Sequence, residues 1–190
     1  MNHLGHLILS GNDPLTITGN FMADAVKGRD LSAHSAAVQR GIRIHRTIDT
    51  FTDQHPLTRI GRDRLRAHCG KFAGVALDIF YDHCIALSWK EPEPLPDFAQ
   101  RMYRVLGTHA HLMPERAQRL LRYLTLRDGL TRYGTLDGIA STLEAMAVRT
   151  PAAQALVGAE RVMSEHLDDF VAECSSFLAD IRTHLARENG

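Results

Sequence analysis

Histidine and aspartate recur in this chain at spacings that suit a metal centre. The richest stretch is Gly41-Ile42-Arg43-Ile44-His45-Arg46-Thr47-Ile48-Asp49-Thr50-Phe51-Thr52-Asp53. A helix turns about 100° per residue, so residues four apart share a face. Val38, Ile42, Ile44, Ile48 and Phe51 then fall on one broad side, and Gln39, Arg40, Arg43, Arg46, Thr50 and Gln54 on the other. The first side should meet the core and the second water. His45, Asp49 and Thr52 land inside the apolar side, with Asp53 near its edge. A buried carboxylate needs a partner or a cation, so this segment points a His and an Asp at something that compensates them.

Two other segments carry the same chemistry. Residues 73–89 are apolar nearly all round, which marks a central helix. They nevertheless include Asp78, Asp82 and His83, with Asp78 and Asp82 one turn apart on a stripe shared with Ile85 and Trp89. Near the N-terminus, His3 and His6 lie on one side of a short apolar segment, and Asp24 follows a second one with Asn20 four residues earlier. His6, Asp24, His45, Asp49, Asp53, Asp78, Asp82 and His83 are thus all expected on inward faces. Mixed imidazole and carboxylate donors without thiolates suit Mn²⁺, Fe²⁺, Zn²⁺ or Mg²⁺. There are enough donors for two ions. Such a centre activates water and neutralises phosphate oxygens, so phosphoester hydrolysis is the natural chemistry. Plainer explanations exist for single residues: His3 as a satisfied core histidine, Asp53 as a helix end, Asp78 as the partner of an arginine. For His45, Asp49, Asp82 and His83 together they would require several independent buried pairs in one region. No nucleophile elbow, phosphate-binding glycine loop or dinucleotide fingerprint accompanies them.

The elements that must position these residues read as helices almost throughout, since strand-like alternation is absent. Helices are expected near 2–10, 14–27, 33–54, 56–69, 73–89, 97–111, 114–126, 135–149 and 151–187. Gly28, Pro56, Gly70 and the Glu91-Pro92-Glu93-Pro94-Leu95-Pro96 loop punctuate them. The expected architecture is an all-α, single-domain helical bundle over 1–190. With 190 residues, 44% of them hydrophobic, the chain can build a substantial core. Its 22 basic residues balance 22 acidic ones, so no global bias favours nucleic acid or a membrane surface. No apolar run approaches the roughly 18 residues of a membrane span, and Met1 to Ser10 carries no secretion signature. Cys69, Cys84 and Cys174 form no CxxC pair and are expected to stay reduced in a cytoplasm. The basic residues are uneven: Arg59, Arg62, Arg64, Arg66 and Lys71 follow closely on Arg40, Arg43 and Arg46. That neighbourhood suits an acidic partner, the alternative being a solvated helix face. Oligomeric state is left open.

A family resemblance emerges from these segments taken together. Asn2-x-Leu4-x-His6-Leu7, Gly19-Asn20-Phe21-x-Ala23-Asp24, Gly41-Ile42-x-x-His45-Arg46-x-Ile48-Asp49-x-x-Thr52-Asp53, and Asp78-x-x-x-Asp82-His83 with Trp89 resemble acyl carrier protein phosphodiesterase. The resemblance runs nearly full length, continuing more weakly through Tyr123-Leu124, Leu130-x-x-Tyr133, Gly138-Ile139, Leu143 and Met146-Ala147-x-Arg149. Gly129 departs from it, standing where a Trp is expected, and Asp82-His83 reverses the usual His-Asp order of HD phosphohydrolases. The resemblance implies a distorted HD-domain-like helical fold. It implies hydrolysis of holo-acyl carrier protein to the apo carrier and 4′-phosphopantetheine, with Mn²⁺ as the preferred metal. It carries metal-ligand roles to Asp24, His45, Asp49, Asp82 and His83. His6 and Asp53 are expected as catalytic residues beside them, Asp53 orienting water or shuttling a proton. Arg40, Arg43 and Arg46 are expected to meet the acidic carrier. An HD-type hydrolase of a nucleotide or other small phosphodiester, and a non-catalytic helical module binding an acidic partner, are the alternatives.

Overall fold

The computed structural model describes residues 1–188; the last two residues of the expected 1–190 domain lie outside the described residues. Among the described residues the regular secondary structure is all helical, without a strand. Its α-helices are α1 (His3–Ile8), α2 (Pro14–Met22), α3 (Ala36–Gln54), α4 (Pro56–Cys69), α5 (Ala73–Leu87), α6 (Leu95–Thr108), α7 (Glu115–Arg127), α8 (Gly129–Arg132), α9 (Leu136–Arg149), α10 (Ala159–Glu165) and α11 (Leu167–Glu188). The chain divides into two compact units.

The first unit comprises Met1–Asn2, Phe51–Lys90 and Arg132 onward. In it α4, α5 and α11 pack on one another, and α9 packs on α5. Phe80, Tyr81, Phe170 and Phe177 are fully buried there, and Phe80 meets Phe170 edge-on at 5.7 Å. The sequence pattern of α5, apolar nearly all round, is matched by burial of almost its whole length. Arg64 pairs with Glu173 at 2.8 Å and lies over the Phe170 ring.

The second unit comprises His3–Thr50 and Glu91–Thr131. Here α1 and α6 pack on α2, α6 packs on α7, and α7 packs on the 3₁₀ turn Ala23–Ala25 that follows α2. α2 and α3 cross at close range. A Cβ on Gly41 would stand 2.0 Å from the Thr16 carbonyl oxygen, and one on Gly19 would stand 2.2 Å from that of Val38. Real Cβ atoms do not come that near backbone, so both positions require glycine. Asp13 caps α2, its carboxylate accepting the Thr16 N–H.

Three expectations change. The helix expected over 151–187 is broken into a 3₁₀ stretch, Pro151–Leu156, and two α-helices. Gly158 makes the break at φ 85 and His166 separates α10 from α11. The helix expected over 14–27 ends earlier, its last turn tightening to 3₁₀. Gly129 opens α8 rather than presenting a large ring: a Cβ there would lie 2.6 Å from the Leu124 side chain.

Candidate metal centre

The close α2–α3 crossing explains why a polar cluster forms inside the second unit. Gly41 lets the α3 backbone approach α2 at Thr16 and Asn20, and His45 lies one turn further along α3. Asn20 is fully buried. Its carboxamide oxygen accepts from His45 Nδ1 at 3.0 Å and from His6 Nδ1 at 3.2 Å, and its NH₂ group donates to the His6 carbonyl at 3.3 Å. One oxygen acceptor therefore fixes the tautomer of both imidazoles, leaving each Nε2 directed away from Asn20. The two rings stack with centroids 4.0 Å apart.

Both Nε2 atoms meet carboxylates. Asp49 bridges them, one oxygen 3.3 Å from His6 Nε2 and the other 3.2 Å from His45 Nε2. Asp24 reaches His45 Nε2 at 3.3 Å. Among the described residues, the donor atoms of His6, His45 and Asp49 lie within 4.8 Å of one another, close enough to hold a metal ion. The set is buried at its histidines and open at its acids: the side chains of Asp49 and Asp24 are 48% and 68% exposed. The expected inward placement thus holds for His6 and His45 and changes for Asp24 and Asp49, which reach the histidines from the solvent rim.

The electrostatics favour a charged His45 beside ionised acids. Burial pushes the His45 imidazole down, but its hydrogen bonds to Asp24 and Asp49, and their charges, outweigh burial and raise its pKa to about 9. Burial raises the Asp49 carboxyl; hydrogen bonds with His45 and His6 overcome that and hold it well below the carboxylate range. The hydrogen bond with His45 lowers Asp24. His6 is shifted down, since burial outweighs its bond to Asp49. Imidazole Nε2 and carboxylate oxygen are donors that divalent transition metals accept, so the cluster fits such an ion.

The other expected residues have partners of their own. Asp82 and His83 are buried in the first unit. Asp82 accepts the Asn2 backbone N–H at 3.1 Å, and His83 Nδ1 donates to the Tyr133 carbonyl. Asp78 takes the Met1 ammonium at 2.8 Å rather than an arginine. Asp53, also of the first unit, is exposed and pairs with Arg62 at 3.3 Å. Arg40 bonds Thr16 Oγ1 at 3.2 Å and Asp13 at 3.4 Å, Arg43 donates to Gln39, and Arg46 donates to the Val26 and Gly28 carbonyls. Arg46 therefore tethers the segment that follows Asp24. Asn20 was not among the expected site residues. Its signal was present in the sequence, on the face of Asp24 and next to a glycine, yet an amide is an unremarkable residue until two histidines are seen to share it.

The family model for acyl carrier protein phosphodiesterase matches residues 1–181. The chain belongs to the acyl carrier protein phosphodiesterase family. Curated relatives of that name agree. The protein of Photorhabdus laumondii is 37% identical over 175 residues, covering 90% of this chain and 88% of the relative. That of Yersinia enterocolitica is 34% identical over 169 residues, covering 87% and 88%, and that of Escherichia coli O6:H1 is 33% identical over 171 residues, covering 88% and 89%. No solved structure matches the chain significantly. Among the described residues no helix is long and apolar enough to cross a membrane.

Proposed function

We propose that the chain hydrolyses the phosphodiester joining 4′-phosphopantetheine to a serine of holo-acyl carrier protein, releasing the apo carrier and 4′-phosphopantetheine. The observation that carries this reading is the convergence of His6 Nε2, His45 Nε2 and the Asp49 carboxylate in a member of a family bearing that name. A divalent cation in this cluster, Mn²⁺ in preference to Mg²⁺, Fe²⁺ or Zn²⁺, would supply positive charge for the phosphate oxygens and acidify water.

The chain's own residues do the rest. Asn20 holds both imidazoles in the tautomer that frees Nε2. Asp49 spans the two histidines. Asp24, exposed at the rim and 3.3 Å from His45 Nε2, would lend the ion a further carboxylate oxygen and orient the attacking water. Arg46 steadies Asp24 through the Val26 and Gly28 carbonyls. Asp82 and His83 as further ligands, Asp53 as a proton shuttle and Arg43 as a carrier contact stay part of the proposal, to be decided by variants. Three free, buried cysteines suit a reducing cytoplasm.

The test is direct. Purified protein with Mn²⁺ and holo-carrier should yield a carrier lighter by the phosphopantetheine arm in a mass spectrum, and a chelator should stop it. An unchanged carrier, with protein shown to be folded and metal-loaded, refutes the activity. Turnover of nucleotides or small phosphodiesters in preference to the carrier would reassign the substrate.

A further inference from the structure

The chain after Asp24 runs Val26-Lys27-Gly28-Arg29-Asp30-Leu31-Ser32, two cations around a glycine with no helical period. Such a segment reads as a loop, yet it is fastened along its length. The Val26 N–H donates to the Ala23 carbonyl at 3.0 Å. Arg46, next to His45 on α3, donates to the Val26 carbonyl at 3.4 Å and to that of Gly28 at 2.9 Å. The Asp30 carboxylate accepts the Ser32 N–H at 2.9 Å, and Leu31 is buried. The His34 carbonyl accepts the Gln39 side-chain amide at 2.8 Å. Gly28 stands at φ 83, a conformation that side-chain-bearing residues rarely adopt. Fixing a backbone in this way costs entropy, so the segment's shape is specified.

Lys27 and Arg29 take no part in that fastening. Both are exposed and have no ion-pair partner among the described residues. The adjacent acid, Asp30, is engaged in its own turn, and Asp24 and Asp49 are turned to the imidazoles. The contrast with α3 is plain, where Arg40 pairs with Asp13 and Arg46 is engaged by carbonyls. Lys27 is also near the cluster by covalent geometry alone. Asp24 and Ala25 lie in a 3₁₀ turn, so the Cα of Lys27 is within about 10 Å of that of Asp24. An extended lysine side chain covers much of that distance.

The phosphodiester of the proposed reaction has two non-bridging oxygens that share one negative charge. The cluster beside Asp24 and Asp49 presents mostly anionic groups, so an oxygen turned outward from it needs a cation of the chain's own. We infer that the segment over 26–30 is the phosphate arm of the site: the Lys27 ammonium and the Arg29 guanidinium hold the substrate's non-bridging phosphate oxygens at the exposed edge of Asp24. Lysine offers a mobile point charge with three donors and arginine a planar fork, and both suit phosphate. The identity of the anion rests on the phosphodiesterase reading; the arm rests on its fastening and its two unpaired cations.

Binding and turnover are measured separately, so the two readings fail separately. The probes are 4′-phosphopantetheine and pantetheine, which differ only by the phosphate, titrated calorimetrically into Mn²⁺-loaded protein. Lys27→Gln/Arg29→Gln should raise the dissociation constant of 4′-phosphopantetheine about tenfold or more and leave that of pantetheine unchanged. Mn²⁺ affinity and the melting temperature should stay at the wild-type values, and Lys27→Arg should retain most of the phosphate affinity. With holo-carrier the double variant should lose kcat/KM by a similar factor. Unchanged 4′-phosphopantetheine affinity in the double variant overturns the inference, as does a wild type that binds the two probes equally. An equal loss in Arg104→Gln/Arg116→Gln also overturns it, since those exposed arginines of the same unit are likewise without ion pairs and would then show an effect of net charge. A parallel fall in Mn²⁺ affinity overturns it by making the segment a support of the cluster. Absence of turnover with the phosphate-specific loss intact would refute the activity and leave the arm standing.

Discussion

The pairs His45/Asp49 on α3 and Asp82/His83 on α5 read alike in the sequence, an acid and an imidazole within an apolar helix, yet they end in different surroundings. On α3 the acid stands at the solvent rim while the histidine is buried, and both ring nitrogens are committed to a converging set of side chains. On α5 both residues are buried, and backbone groups engage them: the Asn2 N–H at Asp82 and the Tyr133 carbonyl at His83. The difference shows in their protonation. The carboxylates beside His45 raise its pKa, whereas burial lowers that of His83. A buried imidazole kept charged by two carboxylates has the donors and the charge to hold a cation in place of its proton; a buried neutral imidazole on a carbonyl can be explained by packing alone.

The strongest way to break this contrast is to exchange the consequences. His45→Ala and Asp49→Asn should remove Mn²⁺ binding and lower turnover by more than the roughly 100-fold that loss of a supporting hydrogen bond brings, at little change in melting temperature. Asp82→Asn should lower the melting temperature first, because the Asn2 N–H loses a charged acceptor. Calorimetric metal titration and thermal melts on the same samples decide it. An Asp82→Asn protein that melts normally but no longer binds metal would make Asp82 a ligand and erase the distinction between the two helices.

A second prediction concerns what makes the α3 cluster possible. Gly41→Ala drives a methyl into the Thr16 carbonyl and should destabilise by about 1–3 kcal/mol, the usual range for overpacking. Gly107 in α6 has nothing within 4 Å of its Cβ position. Gly107→Ala should be neutral or stabilising by about 0.5–1 kcal/mol. Equal melting temperatures for the two variants would show that the α2–α3 crossing is looser than drawn.

These helices also show what the sequence could disclose. Period and punctuation were sufficient for nearly every helix through residue 149, and the apolar circumference of α5 foretold its burial. The break at Gly158 was missed because one glycine inside a periodic segment is compatible with a continuous helix; only its positive φ makes it a boundary. In the site, His6 and His45 were legible as inward histidines. The rim position of Asp24 and Asp49 was not, since a helical wheel gives direction and not depth. Asn20 was visible only as a neighbour of Asp24: sharing one amide oxygen between two rings depends on a crossing brought about by Gly19 and Gly41, residues with no chemistry of their own.

That reading makes Asn20 the sharper probe of the cluster. Asn20→Ala removes the acceptor that fixes both imidazoles, leaving the ligands themselves in place. Metal affinity and turnover should each fall about 10- to 100-fold, less than for His45→Ala. Asn20→Asp, which keeps an oxygen acceptor, should recover part of the loss. A fall in stability without a fall in metal affinity would reduce Asn20 to packing.

The smallest effect is the most discriminating, because it sets the histidines of the two helices against each other in one titration. In the metal-free protein His45 keeps a proton up to about pH 9, against an ordinary value of roughly 6.5. Its folded pKa is raised, so its contribution to stability is complete below pH 6.5 and is lost as the pH rises through 9. A metal must displace that proton. Apparent Mn²⁺ affinity should therefore rise about tenfold per pH unit from near 6.5 and level off near 9. His83, shifted downward, carries no proton in that window and cannot produce this slope. Thermal melts of chelated protein should lose stability between pH 7 and 9.5, and Mn²⁺-loaded protein should lose less. His45→Gln should flatten the chelated curve, whereas His83→Gln should shift the whole curve down and leave its slope. If affinity is flat with pH while His45→Gln still abolishes binding, the proton and the metal do not compete for Nε2, and the cluster is not held together as its distances imply.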